Sequence, residues 1–472
     1  NKNYFYITAI ILFGIALRYL YFMNVDAWFD EWNALYTVDP NISNEDTWKR
    51  YYGDRGDYYV LPEYYPPIFA FLLKEFLSIF GYTVENSRLF PLIFSSGSLF
   101  LSFYLSKIFL NLKYSLISTS LLSLNLFLIW QSSEIRPHSF VVFFSLLSII
   151  YFLKILNKKI PSNKIHTAIY ISSSIILLST WPFALTIFFG KIVFLFHKFL
   201  INKKINFILC LYIMIILISY LVINNEYLLY HLAREEHYTK LYQSFFYSYH
   251  FRSFFGSVFL GGVFLIIFVL MIVLNLKKII LKSEDENLLL FIILFSYFLT
   301  IIYSIISAPV ISPKYIIFIL PLIVIWSIIK IKNYKSKFEN YYLIFLIFIT
   351  LSNCLVNFKN ITIDRPPTRE ALQKISESKT KNILSPDGTV FINFVKINQI
   401  FIENNLSIYD SRKNDFTKQN FWFLCLNNPR FAVGENNFPD EKKCMYFDNT
   451  DKFLLKNDIK IEDYILKEYK IK

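Results

Sequence analysis

The chain has 472 residues, of which 55% are hydrophobic and 19% aromatic, and it carries a formal net charge of +13. With a mean hydropathy of +0.42, this composition excludes an ordinary soluble enzyme and points to repeated membrane spans. Much of the lysine sits in short loops, with no RNP, helix-turn-helix or finger pattern, so nucleic acid is excluded as a partner.

In chain order, Tyr4–Met23 is the first apolar run of span length. No small-residue cleavage site follows it, so it reads as an anchored helix rather than a removed leader. A polar, aromatic loop, Asn24–Pro67, comes next, then Ile68–Phe80, whose central Lys74-Glu75 suits an amphipathic interfacial helix. Further spans are expected at Leu89–Leu110, Tyr114–Trp130, Ser139–Leu156, Thr167–Ser179, Pro182–Leu200, Ile205–Ile223, Phe255–Leu276, Leu288–Ile306, Tyr315–Ile331 and Tyr341–Val356. The expected architecture is an all-α polytopic membrane protein of about 11 transmembrane helices. Residues 1–357 form the membrane domain and 358–472 a small soluble domain, α/β or α+β in class. Lys191 lies inside an apolar run, from which it is expected to snorkel towards the cytoplasm.

Alternate loops carry the lysines, among them Lys158, Lys159, Lys203, Lys204, Lys277, Lys278, Lys335 and Lys337. By the positive-inside rule these loops are cytoplasmic. The amino terminus is then inside, and both the first loop and the soluble domain are extracytoplasmic. Cys425 and Cys444, in the exported tail, are candidates for a disulfide. Within that tail Thr368–Ser376 reads as a helix, while Thr389–Val395 and Phe421–Leu426 read as buried strands.

Two outer-loop clusters carry candidate chemistry. The first is Trp28-Phe29-Asp30-Glu31-Trp32, a carboxylate pair at the end of a span. Such groups are costly near hydrocarbon unless they line a wet cavity; they could equally be solvated residues at the start of a short helix. The nearby Trp28, Trp32, Tyr51, Tyr52, Tyr58 and Tyr59 suit either a sugar face or interfacial anchoring. The second cluster is Ser133-Glu134-Ile135-Arg136-Pro137-His138, in which Arg136 could hold a phosphate or simply pair with Glu134.

The ordered set Phe29-Asp30-Glu31, Tyr65-Pro66-Pro67-Ile68-Phe69, Phe80-Gly81, Ser87-Arg88-Leu89 and Ser133-Glu134-Ile135-Arg136-Pro137 resembles the GT-C integral-membrane glycosyltransferases. The likeness is to the protein-mannosyltransferase-like (family 39) and aminoarabinose-transferase-like bacterial branch. Ser312-Pro313-Lys314-Tyr315, with Pro321, is similar to the family's late Arg-Tyr segment.

The resemblance implies transfer of a sugar from a polyprenyl-phosphate donor, with inversion, at the outer face of a bacterial cytoplasmic membrane. The partners would be the membrane lipid and a glycan, lipid or protein acceptor. Asp30 matches the family's general base, and Glu31 would orient it or position the acceptor. Arg136 and Lys314 match cationic positions near the donor phosphate. Arg88 matches the Arg-Leu position, where helix packing is an equal reading. Tyr65 stands where relatives often have Lys or His, and His138 could supply some of that charge. Arg252 is a secondary phosphate candidate.

No cofactor is implied with certainty. A divalent metal is possible in this family, and His231 with Glu235 is an i, i+4 pair, but two ligands are too few for a secure site. Competing readings are a flippase for a lipid-linked saccharide, which should show repeated halves, and a non-catalytic assembly protein.

Overall fold

A computed structural model defines residues 2–52, 65–157, 164–203, 206–232, 249–306, 312–334, 339–363, 365–411, 419–427, 444–445, 447 and 452–471. Contacts divide the chain into two units. One comprises residues 1–23, 91–133 and 137–361; the other comprises 24–90, 134–136 and 362–472.

The first unit is helical. Across the chain, and among the described residues, seven helices are long and apolar enough to cross a membrane: Phe5–Asn24, Val84–Phe109, His138–Leu156, Pro182–Asn202, Val258–Leu281, Asn287–Ile306 and Glu339–Asn357. Lys164–Leu178 and Phe207–Ile223 are shorter apolar helices. Helix Val258–Leu281 shows the pattern a lipid solvent selects. Phe259, Ile266 and Val273 are exposed along one stripe, while Leu260, Phe264 and Phe268 are buried on the other. The chain is a multi-pass membrane protein.

The expected spans Tyr114–Trp130 and Tyr315–Ile331 depart from a single helix. Tyr114–Trp130 is interrupted: one helix ends at Ser123 and a second runs Leu126–Trp130. Asn125 makes the break by accepting the Leu128 N–H at 3.0 Å and donating to the Phe254 carbonyl at 2.7 Å. Arg18 receives the carbonyl end of the earlier helix, donating to Ser123 O at 3.2 Å and Leu122 O at 3.4 Å, and also to Ser95 Oγ at 2.9 Å. A guanidinium at a helix C-terminus meets both the orphan carbonyls and the dipole. Tyr315–Ile331 likewise opens as a 3-10 turn, Pro313–Ile316, before the helix Ile319–Tyr334.

Lys191 does not snorkel. It is fully buried, its ammonium donating to Ser148 Oγ at 2.7 Å and lying 4.6 Å from the Phe188 ring and 4.7 Å from the Tyr170 ring. Ser148 Oγ is in turn 2.7 Å from Ser174 Oγ, so a hydroxyl pair and ring faces surround the amine.

The second unit is mixed. Its sheet has the order β2-β1-β3-β5-β4, with β1 Asn382–Ser385, β2 Ser407–Asp410, β3 Phe421–Leu426, β4 Phe453–Ile461 and β5 Tyr464–Ile471. β1 is parallel to β2 and β3, and β5 is antiparallel to β3 and β4. The β3 residues Phe421, Phe423 and Cys425 pack with Cys444, Phe453 and Tyr469, and a Cys425–Cys444 disulfide closes this core.

Helix Thr368–Ser376 and strand Phe421–Leu426 have the bounds read from sequence. Thr389–Val395 is not a strand; it lies within a helix, Gly388–Lys396. Its β-branched and aromatic residues favour a strand by propensity. Val390, Phe391, Phe394 and Val395 nevertheless fall on one helical face and are buried there.

Candidate active site

The acidic pair opens a short helix, Phe29–Thr37. Glu31 Oε2 accepts the Trp28 N–H at 3.1 Å, so one of the helix's first orphan donors is satisfied from within. The helix is held by aromatic packing. Trp32 is 2% exposed, stacks on Phe394 and meets Phe391 edge-on. Trp32 is therefore a core residue of this unit, neither a sugar platform nor a membrane anchor. Tyr82 Oη donates to the Leu35 carbonyl at 2.7 Å and accepts from Asn393 Nδ2 at 2.9 Å. Burial holds the Tyr82 phenol well above its ordinary value, so it stays a neutral donor.

Adjacent carboxylates have opposite environments. Glu31 has no exposed side-chain surface, whereas Asp30 is 27% exposed. Glu31 Oε1 accepts the Ile135 N–H at 2.9 Å and Oε2 pairs with Arg365. Burial pushes the Glu31 carboxyl above the usual carboxylate range. Arg365, then Arg88, oppose that shift, Glu134 adds to it, and the Ile135 N–H opposes it. Asp30 Oδ2 instead lies 3.3 Å from Arg136 Nη2. The first loop and the Glu134–Arg136 turn thus meet.

The ion pairs of the turn reach beyond the Glu134–Arg136 pairing considered from sequence. Glu134 Oε1 accepts from Arg365 Nη2 at 2.6 Å, while the Arg136 N–H donates to the Glu134 carbonyl at 2.6 Å. Sequence reading missed Arg365 altogether. It lies 5.3 Å from the Trp28 ring and bridges Glu31 and Glu134. Its neighbour in sequence, Arg369, pairs with Asp26 and donates to the Val25 carbonyl at 2.6 Å. The available signal was charge alone: Asp26, Glu31 and Glu134 lie at the ends of apolar runs and call for cations, and Arg365 and Arg369 stand beside Pro366-Pro367.

The other site candidates in this unit are buried. Arg88 is 3% exposed and donates to the Val25 carbonyl. Tyr65, Pro66 and Pro67 are buried or nearly so; Tyr51 Oη reaches the Pro66 carbonyl at 3.5 Å, and Pro67 precedes the helix Ile68–Phe80. Lys74, in that helix, turns inward. It donates to Ile42 O at 2.8 Å, Asn44 Oδ1 at 2.9 Å and Thr47 Oγ1 at 2.9 Å, fixing the first loop.

No protein-family model matches the sequence, and no curated protein matches it. Solved structures do. ArnT from Cupriavidus metallidurans in the apo state aligns over 99% of this chain and 98% of its own, with a TM-score of 0.59 at 9% identity. The same protein bound to undecaprenyl phosphate aligns over 98% of both chains, with a TM-score of 0.54 at 11% identity. The chain has the GT-C fold. A third structure, the Archaeoglobus fulgidus oligosaccharyltransferase with Zn and sulfate, aligns at 12% identity over 89% of this chain and 68% of its own, with a TM-score of 0.49.

The remaining candidates belong to the helical unit. His138 begins the helix His138–Leu156, is buried, and meets Trp181 edge-on at 5.4 Å. Lys314 lies in the turn Pro313–Ile316, its ammonium 5.6 Å from the Tyr315 ring. Tyr315 stacks on Phe183 at 4.9 Å, and its carbonyl accepts from Trp181 Nε1 at 2.7 Å. Arg252 is exposed on Tyr249–Phe255. Tyr58, Tyr59 and Glu235 lie outside the described residues, as does the side chain of His231. Among the described residues no group of three or more His, Cys, Asp or Glu is placed to hold a metal.

Proposed function

We propose that this GT-C chain is an inverting glycosyltransferase that moves a sugar from a polyprenyl-phosphate donor to a hydroxyl acceptor. Asp30 is the general base. One observation carries the reading. Of two neighbouring carboxylates, the one matching the family's base is open to solvent and 3.3 Å from a guanidinium, while the other is sealed. A base must reach the acceptor proton, and Glu31 cannot do so without breaking its own bonds.

In this scheme Asp30 takes the proton of the acceptor hydroxyl as its oxygen attacks the anomeric carbon. The bond from that carbon to the phosphate oxygen breaks, and its electron pair leaves with the phosphate. Arg136 beside Asp30 offers charge-assisted donors to that developing anion. One displacement needs one base, and the configuration inverts. The ArnT structure with undecaprenyl phosphate supports a polyprenyl-phosphate ligand for this fold. His138, Lys314, Arg252 and Arg88 remain phosphate candidates on the family resemblance alone. The acceptor is a glycan, lipid or protein hydroxyl, and the lysine bias supports placing the site outside a bacterial cytoplasmic membrane.

The test is transfer from a panel of radiolabelled undecaprenyl-phosphate sugars, with bacterial membranes as acceptor source. Asp30→Asn should abolish transfer while membrane insertion and yield persist. Wild-type rates in that variant would remove Asp30 as base.

A further inference from the structure

Resting on that reading, we propose that Arg365 is a positioning residue: by bridging Glu31 and Glu134 it sets the separation of Asp30 and Arg136. The geometry is specific. Glu31 directly follows Asp30, and Glu134 lies two positions before Arg136. Arg365 Nη1 takes Glu31 and Nη2 takes Glu134. One planar fork therefore joins the helix bearing the base to the turn bearing the cation. The Ile135 N–H to Glu31 bond runs parallel to it.

The bridge is dry, with the three side chains 3% exposed or less, so its bonds are not diluted by water. A guanidinium is suited to this role because its donors diverge at fixed angles, which a lysine ammonium does not reproduce. The groups around Glu31 are Arg365, Arg88, Glu134 and the N–H groups of Trp28 and Ile135, with Asp30 and Arg136 beside them. Without Arg365 two buried carboxylates face each other with one cation fewer beside Arg88 and Arg136. One of them must take up a proton or the turn must move away.

A carboxylate displaced by about 1 Å can lose a hundredfold in rate. In the full-length chain, Arg365→Ala should therefore lower kcat by about 10–100-fold. The donor KM should stay within about twofold, since ground-state binding is left in place. The acid limb of the pH–rate profile should move to higher pH. Arg365→Lys, which keeps the charge, should leave that limb in place and restore only part of kcat.

Hydrogen exchange gives a readout independent of turnover. The Ile135 amide should exchange at least about tenfold faster in Arg365→Ala than in wild type. Unchanged exchange overturns the proposal, and so does faster exchange with kcat unaltered. If Arg365→Ala does not fold, Arg365→Lys decides on the same two criteria. If the wild type turns over none of the panel sugars, the transferase reading fails separately, and Ile135 exchange alone decides whether Arg365 sets the turn.

Discussion

Trp32 stacks on Phe394 at a ring separation of 5.0 Å and an interplanar angle of 22°. Phe391 meets the same indole at 5.1 Å and 60°. The helix that carries Asp30 is therefore packed by a helix from near the end of the chain, and the two segments share one core.

Trp32→Ala should cost about 3–5 kcal/mol, the usual loss for truncating a buried aromatic. The measurement is the thermal inactivation midpoint in detergent, which should fall by several degrees. Trp32→Phe should recover most of the loss. If Trp32→Ala leaves the midpoint unmoved, the indole is not a core residue.

Glu31 predicts a pH dependence of stability with a definite sign. Its folded-state carboxyl is raised above its unfolded value by burial. The folded state thus binds the proton more tightly, and the contribution of Glu31 is greatest below the ordinary carboxylate value. It is lost as pH rises through the raised value. The stability of wild type relative to Glu31→Gln should accordingly decline between mildly acidic and neutral pH. Midpoints recorded across that range check it, and a difference that grows with pH would contradict the burial argument.

The Cys425–Cys444 bridge predicts a thiol count. Of the four cysteines, Cys210 and Cys354 are free. Alkylation of the denatured, unreduced protein should label two residues, and prior reduction should expose four. Cys425→Ser with Cys444→Ser should destabilise the second unit by about 2–4 kcal/mol, as for a short closed loop.

Lys74 gathers three acceptors while its own side chain is buried. Lys74→Met leaves those acceptors without their donor and should cost about 1–3 kcal/mol. Hydrogen exchange of the amides around Ile42–Thr47 should rise in that variant. Equal protection in both proteins would mean the loop is held by other contacts.

Lys191 makes the opposite prediction. A fully buried lysine amine bonded to a serine hydroxyl bears a desolvation cost that a thioether does not. Lys191→Met should leave the inactivation midpoint equal or higher. A loss of more than about 3 kcal/mol would instead mark the Lys191–Ser148–Ser174 contact as essential to the helix packing.

The periodic features were readable in the residues themselves. Seven of the eleven apolar runs became long helices among the described residues, and Phe421–Leu426 became a buried strand. Asp30 and Arg136 could each be singled out from sequence, but their pairing was not, since Arg136 was read as a phosphate site or a partner of Glu134. Gly388–Lys396 was misread because local propensity for Val, Phe and Ile favours extended chain, whereas its tertiary packing, with Phe391 and Phe394 against Trp32 and Phe391 against Tyr464, suits a helix.

The linear chain by itself determined that this protein lives in a membrane, and which two loops carry its acids and bases. Hydropathy and charge are sums over neighbouring residues, so they need no fold to be read. Only the tertiary structure decided that Asp30 is accessible and Glu31 is sealed. It alone brought Arg365 to Glu31 across 334 positions. Burial and ion pairing depend on which distant segments pack together, and no window of sequence contains that information.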